Sequence, residues 1–580
     1  MRWCVGGTTN VALATVDRHG TGPRAGHPAI VWESETGEVR RWTHGELAAE
    51  VDRLSRGLTA LGIGVGDPVG LYMPMLPETA AGFLALARIG AVILPLFSGF
   101  GAAAVADRLA AAGAVAILCA DGFPRRGRHI AMKAEVDEAA EAVPTLRHVV
   151  VFRRSGEAVA MQPGRDRWWE ALPTGAPFAT PALPADAPLL VAYTSGTTGR
   201  PKGTVHTHAG FLVKTLLDMS LVFDLKADDR LLWMTDIGWL VGPIQIVATA
   251  ALGATLVMAE GTPDFPKPDR LWRLVADQGV SFLGMSPTIA RLMARHGATG
   301  PAAHDLSSLR VAASTGEPWD ETAWRWIFTN VLGGTRPLFN YTGGTEMGGI
   351  LATNPLLPIR PASFTGPIPG TGADIVDEAG RPVPPLTVGE LVMRDAPMGL
   401  TAGLWNDRER YLDGYWRRIP GIWVHGDWAS RDADGYWYVH GRSDDTLKIA
   451  GKRTGPAEIE ATLLATGLVS DAAVVALPDP IKGAAVACVV IAAPGVAEGP
   501  GLREDLSRAV VAAMGSAFRP ALVLAVPDLP KTRNMKTMRR VVRAALTGAP
   551  PGDLSALVNP EAVPAIAAAL SAIRSGDRAG

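Results

Sequence analysis

The 580-residue sequence lacks an excess of charge of either sign, because 55 Lys and Arg residues face 57 Asp and Glu residues and leave a formal net charge of −2. Proteins that bind nucleic acid or acidic membrane surfaces carry a basic excess, since neutralised phosphates supply much of their affinity. We therefore expect no nucleic-acid partner. The low charged fraction of 19%, beside 48% hydrophobic residues, excludes wholesale disorder. At roughly 150 residues per domain, the length predicts about three or four core-sized units.

Cysteine is also scarce. Cys4, Cys119 and Cys488 are far apart in the sequence and form no C-x-x-C spacing. This pattern excludes a disulfide framework and gives no support to a structural zinc site. The N-terminus lacks the apolar stretch and the small-residue cleavage site of a secretory signal. A reducing cytoplasm is the location that we expect.

One long uncharged run, residues 239–259, has the length needed to span a bilayer. Pro243, Gln245 and the glycines inside the run favour instead a buried helix that is followed by the strand ATLVMA. We therefore expect no membrane span.

The sequence does contain a regular alternation of short apolar runs and helix-length amphipathic segments. This alternation predicts an α/β fold of doubly wound units on mostly parallel sheets, which bind ligands at the carboxyl ends of their strands. Shorter pieces with Gly and aromatic residues over 389–438 predict a β-rich subdomain, and a smaller α/β unit follows it. The predicted strands are residues 115–120, 148–152, 188–195, 254–260, 280–286 and 309–315.

The most informative segment is YTSGTTGRPKG, residues 193–203, which directly follows a predicted buried strand. Its glycines let backbone N–H groups approach an anion, its hydroxyl groups add donors, and Lys202 adds positive charge. It fits neither the Walker pattern nor the dinucleotide-binding pattern, so it predicts a different kind of phosphate loop, with a flexible linker as the alternative. The loop residues expected at the nucleotide are Thr194, Ser195, Gly196, Thr197 and Thr198.

This loop resembles the phosphate loop of the ANL superfamily of adenylate-forming enzymes. Further matching segments follow in the order that the family has. The N-terminal segments VGGTTNVALATVDRH and DIGWLVG are similar to the branch of acetyl-, propionyl- and acetoacetyl-CoA synthetases. The other matching segments are residues 314–318, 340–346, 426–427, 441–445, 450–460 and 529–536.

The resemblance implies a large N-terminal domain and a small mobile C-terminal α/β domain. It also implies ATP, Mg²⁺ and CoA as cofactors. Residues after about 547 have no counterpart in this scheme, and we expect this Ala- and Pro-rich tail to pack on the surface or to be partly loose. The implied units are residues 1–442 with a β-rich subdomain at about 366–442, a hinge at 443–446, the C-terminal lid at 447–546 and the tail at 547–580.

The family also assigns roles to single residues of this sequence. Glu346 and Thr198 would hold Mg²⁺ on the ATP phosphates, since hard oxygen ligands suit that ion. Lys536 would bridge the attacking carboxylate and the α-phosphate during adenylation. Thr194 and Lys202 are the further catalytic residues. The remaining nucleotide-binding residues are Gly316, Glu317, Pro318, Asn340, Tyr341, Thr342, Gly343, Gly344, Thr345, Asp427, Arg442 and Arg453.

Other residues match the acyl pocket, the CoA site and the hinge of the family. Asp444 matches the hinge residue about which the small domain rotates between the two half-reactions. The acyl-pocket residues are Trp239, Leu240, Val241, Thr315, Gly343 and Gly344. The CoA-binding residues are Arg125, Arg126, Gly127, Arg128, Val241, Ala450 and Gly451, with a solvated loop as the alternative for the arginine cluster.

The sequence departs from acetate-selective relatives at the acyl pocket. Those relatives place two tryptophans where this sequence has Thr342 and Gly343, and a glutamine where it has Gly344. Loss of an indole would open a deep cavity, so this departure predicts a bulky carboxylic acid and not acetate as the substrate.

A second departure lies beside the catalytic lysine, where Asn534 and Met535 replace the family's Ser-Gly. If that glycine lets the loop insert Lys536, the bulky Met535 would misplace the lysine. The alternative is therefore an enzyme that only converts a supplied acyl-adenylate to acyl-CoA, with a partner enzyme that makes the adenylate. Two further alternatives are transfer to a carrier-protein arm and a non-catalytic binding protein. The sequence leaves open whether the protein forms homo-oligomers.

Overall fold

The computed structural model describes residues 3–194, 201–354, 356–443, 447–449, 452–479, 483–532, 535–552, 554 and 556–576.

The strands and helices alternate along most of the chain, as the apolar runs predict. The strands are β1 (Thr8–Thr9), β2 (Pro28–Glu33), β3 (Val39–Thr43), β4 (Pro68–Tyr72), β5 (Val92–Pro95), β6 (Ala116–Ala120), β7 (Phe123–Arg125), β8 (Arg128–Ile130), β9 (His148–Phe152), β10 (Asp166–Trp168), β11 (Leu183–Pro184), β12 (Pro188–Thr194), β13 (Lys202–Thr207), β14 (Arg230–Trp233), β15 (Thr255–Ala259), β16 (Phe282–Met285), β17 (Val311–Ser314), β18 (Leu338–Gly344), β19 (Gly348–Ala352), β20 (Gly366–Pro367), β21 (Ala373–Val376), β22 (Gly389–Met393), β23 (Gly403–Leu404), β24 (Trp423–Arg431), β25 (Trp437–Arg442), β26 (Leu447–Ile449), β27 (Lys452–Thr454), β28 (Val469–Asp479), β29 (Gly483–Ala492) and β30 (Leu522–Ala525).

The α-helices are α1 (Val11–Ala14), α2 (Val16–His19), α3 (His44–Ala60), α4 (Pro77–Ile89), α5 (Ala102–Ala112), α6 (Met132–Glu141), α7 (His208–Leu216), α8 (Val241–Leu252), α9 (Arg270–Asp277), α10 (Pro287–Arg295), α11 (Thr299–Ala302), α12 (Glu321–Asn330), α13 (Arg408–Tyr415), α14 (Pro456–Ala465), α15 (Pro500–Met514), α16 (Arg539–Thr547) and α17 (Ala562–Gly576).

Two large sheets form the body of the protein. One has the strand order β10-β9-β6-β4-β5-β12-β13-β23, and its strands from β10 to β12 are parallel. The other has the order β20-β19-β18-β17-β16-β14-β15-β2-β3, and its strands from β18 to β2 are parallel. Both sheets therefore have the doubly wound, mostly parallel character that the sequence predicts.

The main hydrophobic core joins the two sheets through helices that lie between them. Helix α4 is buried along nearly its whole length, and α8 contributes Ile246, Val247 and Ala248 to the same core. A helix that is apolar on all sides must be covered on all sides, and this position between two sheets meets that requirement. The predicted site segments follow the carboxyl ends of the parallel strands β12, β17 and β18.

The segment that is long enough to span a bilayer is divided, as predicted, into the buried helix α8 and the strand β15. Gly253 separates them in a left-handed conformation with φ of 73°, which a residue without a Cβ adopts at low cost. Among the described residues, no helix combines the length and the apolar character that a membrane crossing requires.

Residues 373–442 form an antiparallel sheet with the order β21-β22-β24-β25. Its core includes Ile375, Leu391, Trp423 and Trp437. This sheet carries two residues of the predicted nucleotide site, Asp427 on β24 and Arg442 at the end of β25.

The C-terminal part is a separate α/β unit, in which β28, β29 and β30 form a sheet between two hydrophobic clusters. The tail belongs to this unit. Its helix α17 contributes Ile566 and Leu570 to the cluster that also contains Val475 and Leu524. Helix α17 packs on this unit through one apolar stripe, which the sheet and α16 cover, while its other face is exposed.

Candidate active site

The predicted phosphate loop leaves the end of β12 and returns on β13, where Thr194 pairs with Lys202 in antiparallel register. Both residues are partly buried. The predicted loop residues Ser195, Gly196, Thr197 and Thr198 lie outside the described residues. The structure thus brings the two ends of the loop together at the carboxyl end of a parallel strand, where doubly wound sheets bind ligands.

Lys202 is ion-paired with Glu346 across the site. Its Nζ lies 3.1 Å from Glu346 Oε1 and also donates to the hydroxyl of Tyr415, above whose ring it lies at 4.8 Å from the centroid. The Tyr415 hydroxyl in turn donates to Glu346 Oε1. Tyr415 stacks on Trp423 with a ring-centroid separation of 4.2 Å, which fixes the position of the ring. Tyr415 was not predicted from the sequence, since it lies outside every motif recognised there.

Glu346 is a buried carboxylate that remains charged. Burial alone would raise its pKa, but the positive charge of Lys202, the hydrogen bond from Tyr415 and the proximity of His425 lower the pKa to about 2. The carboxylate is therefore ionised throughout the neutral range. Its Oε2 lies beside Gly344, where an added Cβ would approach this oxygen to 2.6 Å.

Asp427 is the second buried carboxylate of the site. Its Oδ2 lies 3.3 Å from His425 Nε2 and its Oδ1 lies 3.6 Å from Arg442. Burial raises the pKa of Asp427, but His425, Arg442 and Lys536 outweigh that effect, so its pKa is lowered. Gly426 has φ of 91°, and an added Cβ there would lie 2.7 Å from the Arg442 guanidinium, so the turn that presents Asp427 favours glycine.

Lys536 belongs to the C-terminal unit and lies near Asp427 and Arg442. The protein around Lys536 reduces its hydration, and this partial desolvation lowers the pKa of the lysine. The positive charges of Arg539 and Arg442 lower the pKa further, whereas Glu317 and Asp427 oppose this shift. The lysine side chain itself is exposed. Lys536 thus lies within electrostatic range of Glu317, Asp427 and Arg442, which come from other parts of the chain.

The segment Gly316–Glu317–Pro318 follows the carboxyl end of β17, and Gly316 has φ of 108°. The Glu317 carboxylate accepts hydrogen bonds from Thr288 and from Arg291, whose guanidinium lies 3.0 Å away. Arg291 was not predicted from the sequence. It holds Glu317 from α10, so the segment is fixed before any ligand is bound.

The predicted segment from Asn340 to Thr345 lies on β18 and the turn after it, but its side chains do not all face the cleft. Tyr341 turns its hydroxyl into the core and donates to Asp218 Oδ2 at 2.5 Å. Asp218 also forms a buried ion pair with Lys214. Thr345 offers its carbonyl oxygen to His206 Nε2 at 2.7 Å. Asn340 is buried, and Thr342 is partly buried.

The backbone of β19 lies against Gly343, at the place where the sequence predicts a cavity. A Cβ on Gly343 would lie only 1.7 Å from the carbonyl oxygen of Gly348, so the backbone of the opposite strand already fills that space. Trp239 lies edge-on to Phe97 at 6.0 Å. Leu240 and Val241 pack against the main core, and Thr315 is partly buried at the end of β17.

The arginine cluster that is predicted to bind CoA lies on a hairpin formed by β7 and β8, with Arg126 and Gly127 in left-handed conformations at the turn. Arg126 forms a two-pronged ion pair with Asp264, with distances of 2.6 and 2.8 Å. Arg125 is partly buried and Arg128 is exposed. One of the three arginines is thus already neutralised by a protein carboxylate.

Several predicted residues cannot be located in the site. Asp444, Ala450, Gly451 and Asn534 lie outside the described residues, and for Arg453 only the backbone, in β27, is described.

Comparison with known proteins identifies the family of the chain. The profile of the AMP-binding enzyme family matches residues 17–405, and the profile of the AMP-binding enzyme C-terminal domain matches residues 458–536. The chain belongs to the AMP-binding enzyme family. The predicted superfamily, its α/β fold and its acyl-CoA synthetase branch are therefore confirmed, and the chain is an AMP-forming acid–thiol ligase.

Relatives match this family member over almost its whole length. An acetyl-coenzyme A synthetase from Pyrobaculum arsenaticum is 41% identical and covers 96% of this chain and 86% of its own. The acetyl-coenzyme A synthetase of Streptomyces coelicolor is 39% identical, and the match covers 99% of this chain and 89% of that protein. Among solved structures, the acetoacetyl-CoA synthetase from Streptomyces lividans has a TM-score of 0.87 at 29% identity and covers 98% of this chain and 87% of its own.

These relatives overturn the predicted substrate. The prediction of a bulky acid is wrong, since acetyl-coenzyme A synthetases are similar to this chain at 38–41% identity over nearly its full length. The physical error lay in equating a missing indole at Gly343 with an empty space, which the backbone of Gly348 fills. The alternatives of thioesterification alone and of non-catalytic binding have no support from these relatives. Members of this family use ATP and CoA.

Met535, the residue next to Lys536, has φ of 64°. For a residue with a Cβ, the left-handed conformation costs roughly 1–2 kcal/mol. The backbone N–H of Met535 donates to the carbonyl oxygen of Thr532 at 2.7 Å, so the turn is closed despite this cost.

We expect Met535→Gly to stabilise the C-terminal unit by about 1 kcal/mol relative to Met535→Ala, because glycine adopts this conformation without a steric penalty. Thermal unfolding of the two variants without ligands measures the difference. Alanine is the matched control, since it shortens the side chain but keeps the Cβ. A glycine variant that melts at or below the temperature of the alanine variant would contradict the inferred strain.

Proposed function

We propose that this protein is an acetate:CoA ligase that works through acetyl-adenylate. In the first step a carboxylate oxygen of acetate attacks the α-phosphorus of ATP, and pyrophosphate leaves. In the second step the thiol sulfur of CoA attacks the acyl carbon, the bond to the AMP oxygen breaks, and acetyl-CoA and AMP are released. The observation that carries the choice of acid is the similarity, over 96–99% of the chain, to proteins named acetyl-coenzyme A synthetase.

The described walls of the acyl pocket are consistent with a small acid. Gly343 is closed off by the backbone of β19, and Trp239 presents an indole that is held in place by Phe97. A pocket that is limited by backbone atoms cannot widen by a change of rotamer, which favours a short acyl chain.

Adenylation concentrates negative charge at the α-phosphate, and two lysines would supply the positive charge that balances it. Lys202 belongs to the end of the phosphate loop, and Lys536 comes from the C-terminal unit. Preorganised cations of this kind stabilise the transition state because they need little rearrangement during the reaction. Asp427, ionised and partly paired with Arg442, is the carboxylate that would accept the ribose hydroxyls.

Mg²⁺ fits the chemistry of Glu346. The ion prefers oxygen ligands and is often bound through one carboxylate together with substrate phosphates. Glu346 is ionised, and glycine at position 344 leaves its Oε2 unobstructed by a side chain. Among the described residues, no group of three or more acidic, His or Cys side chains is arranged to hold a metal ion by itself. The metal would neutralise phosphate charge as pyrophosphate departs.

We further propose that residues 1–442 form the adenylate-binding body and that the small domain starts after the hinge at 443–446. The small domain would include the tail as far as residue 576, because α17 shares the core of that unit. A cytoplasmic location stays a prediction.

The direct test is an assay of the purified protein with ATP, Mg²⁺, CoA and one acid at a time, with AMP, pyrophosphate and thioester measured separately. Acetate, propionate, acetoacetate and a medium-chain acid form the panel. We expect acetate to give the highest kcat/KM and all three products in equal amounts. Turnover of the medium-chain acid in preference to acetate would refute the proposal.

We expect Glu346→Gln to lower the rate of acetate-dependent ATP–pyrophosphate exchange by roughly 100-fold, because the amide loses the charge that attracts Mg²⁺ and pairs with Lys202. The matched control is Glu409→Gln on α13, whose carboxylate is exposed and pairs with Arg417. The control should exchange at the wild-type rate. Equal rates for both variants would exclude the proposed role of Glu346.

A further inference from the structure

The tail of the chain lies directly against the loop that carries Lys536. The C-terminal family profile ends at residue 536, so the tail lies beyond the part of the domain that it describes. Thr532 nevertheless forms a β-bridge with Leu557, and the backbone N–H of Val558 donates to the carbonyl oxygen of Lys531 at 3.0 Å. The tail thus adds a short strand to the arm of the loop that leads to the catalytic lysine.

The two arms of this loop are also paired with each other. Lys531 forms a β-bridge with Thr537, and the N–H of Thr532 donates to the carbonyl oxygen of Lys536 at 2.9 Å. The N–H of Lys536 donates to Thr532 Oγ1 at 3.2 Å. Because Lys536 is tied to residues 531 and 532 in this way, a shift of the first arm would move the lysine with it.

Asn559 of the tail fixes that first arm. Its Oδ1 accepts from the backbone N–H of Lys531 at 2.9 Å. Its Nδ2 donates to the carbonyl oxygen of Leu529 and to Asp528 Oδ2, both at 2.7 Å. Asn559 is only 7% exposed, so the loss of its amide would leave buried backbone groups without these partners. One amide therefore satisfies three groups of the loop.

The tail segment that contains Asn559 is itself held by contacts with the C-terminal unit. The N–H of Ala562 donates to the carbonyl oxygen of Asn559 at 3.0 Å, and α17 begins at that point. Ile566 and Leu570 then bury the helix against the sheet of the C-terminal unit. On the other side of the loop, Lys531 forms a buried ion pair with Asp471 at 2.7 Å. The loop arm is thus held between the tail and β28.

We propose that Asn559 is a positioning residue for Lys536 and thereby supports the adenylation half-reaction. The inference rests on the proposed function, because it assigns Lys536 the task of stabilising charge at the α-phosphate. Displacement of a catalytic group by about 1 Å can cost on the order of 100-fold in rate. Asn559 touches neither substrate nor reacting atoms; it acts through the backbone of residues 529–531.

The test compares the two half-reactions in Asn559→Ala and Asn559→Asp. The aspartate is nearly isosteric, but it places an oxygen against the carbonyl of Leu529 and the carboxylate of Asp528, so it should be at least as damaging as alanine. Asn330→Ala, at the exposed end of α12, is the control. ATP–pyrophosphate exchange reports adenylation with the acid that the wild type activates best, and thioester formation from CoA and the synthetic adenylate of the same acid reports the second step.

We expect both Asn559 variants to lose about 10- to 100-fold in kcat of exchange with little change in the KM for ATP, while thioester formation stays within about twofold of wild type. Adding Asn559→Ala to Lys536→Ala should cause no further loss of exchange, since the two residues act as a unit. Equal losses in both half-reactions would indicate a merely structural role and overturn the inference, as would unchanged exchange.

A readout without substrate separates this inference from the choice of acid. Hydrogen–deuterium exchange of the peptide 529–538 should be faster in Asn559→Ala than in wild type, while a peptide from α15 should be unchanged. Failure of the wild type to activate acetate would refute the proposed substrate but not this result. Unaltered protection of peptide 529–538 in Asn559→Ala would overturn the positioning role, whatever acid the enzyme uses.

Discussion

The site depends on one electrostatic constraint, which is that Glu346 must stay ionised although it is buried. Burial disfavours the charged carboxylate, and Lys202 and Tyr415 compensate with an ion pair and a hydrogen bond. The three residues come from β13, the turn after β18 and α13, so the pair also ties together parts of the chain that are remote in sequence. A charged network of this kind is costly if one member is removed, because the remaining charge is then buried without its partner.

The parallel sheets supply the geometry on which that network rests. The phosphate loop, the segment at Glu317 and the turn at Glu346 all leave the carboxyl ends of parallel strands, β12, β17 and β18. β17 and β18 are neighbours in one sheet, and the ion pair of Lys202 with Glu346 connects the turn after β18 to β13 of the other sheet. The C-terminal unit then adds Lys536 from the open side, on a loop that Asn559 holds to the tail.

Much of this arrangement could be predicted from the sequence, because its signals are local. The split of residues 239–259 into α8 and β15 follows from Pro243 and Gly253, and the motifs identify Glu346, Asp427 and Lys536 individually. Other features depend on contacts between distant segments. A glycine at 343 does not reveal whether the space beside it is empty, and only the register of β18 with β19 brings the Gly348 carbonyl there. Likewise, nothing in the sequence indicates that Tyr341 turns towards Asp218, or that Asn559 meets the loop of Lys536.

The central claim, that the protein forms an acetyl-adenylate in this cleft, is tested most directly by following the carboxylate oxygens of acetate. Attack of acetate on the α-phosphorus leaves one acetate oxygen on AMP when CoA displaces it. With oxygen-18 acetate, ATP and CoA, mass spectrometry should therefore find one labelled oxygen in the AMP that is formed. AMP without label, together with production of acetyl-CoA, would contradict the account.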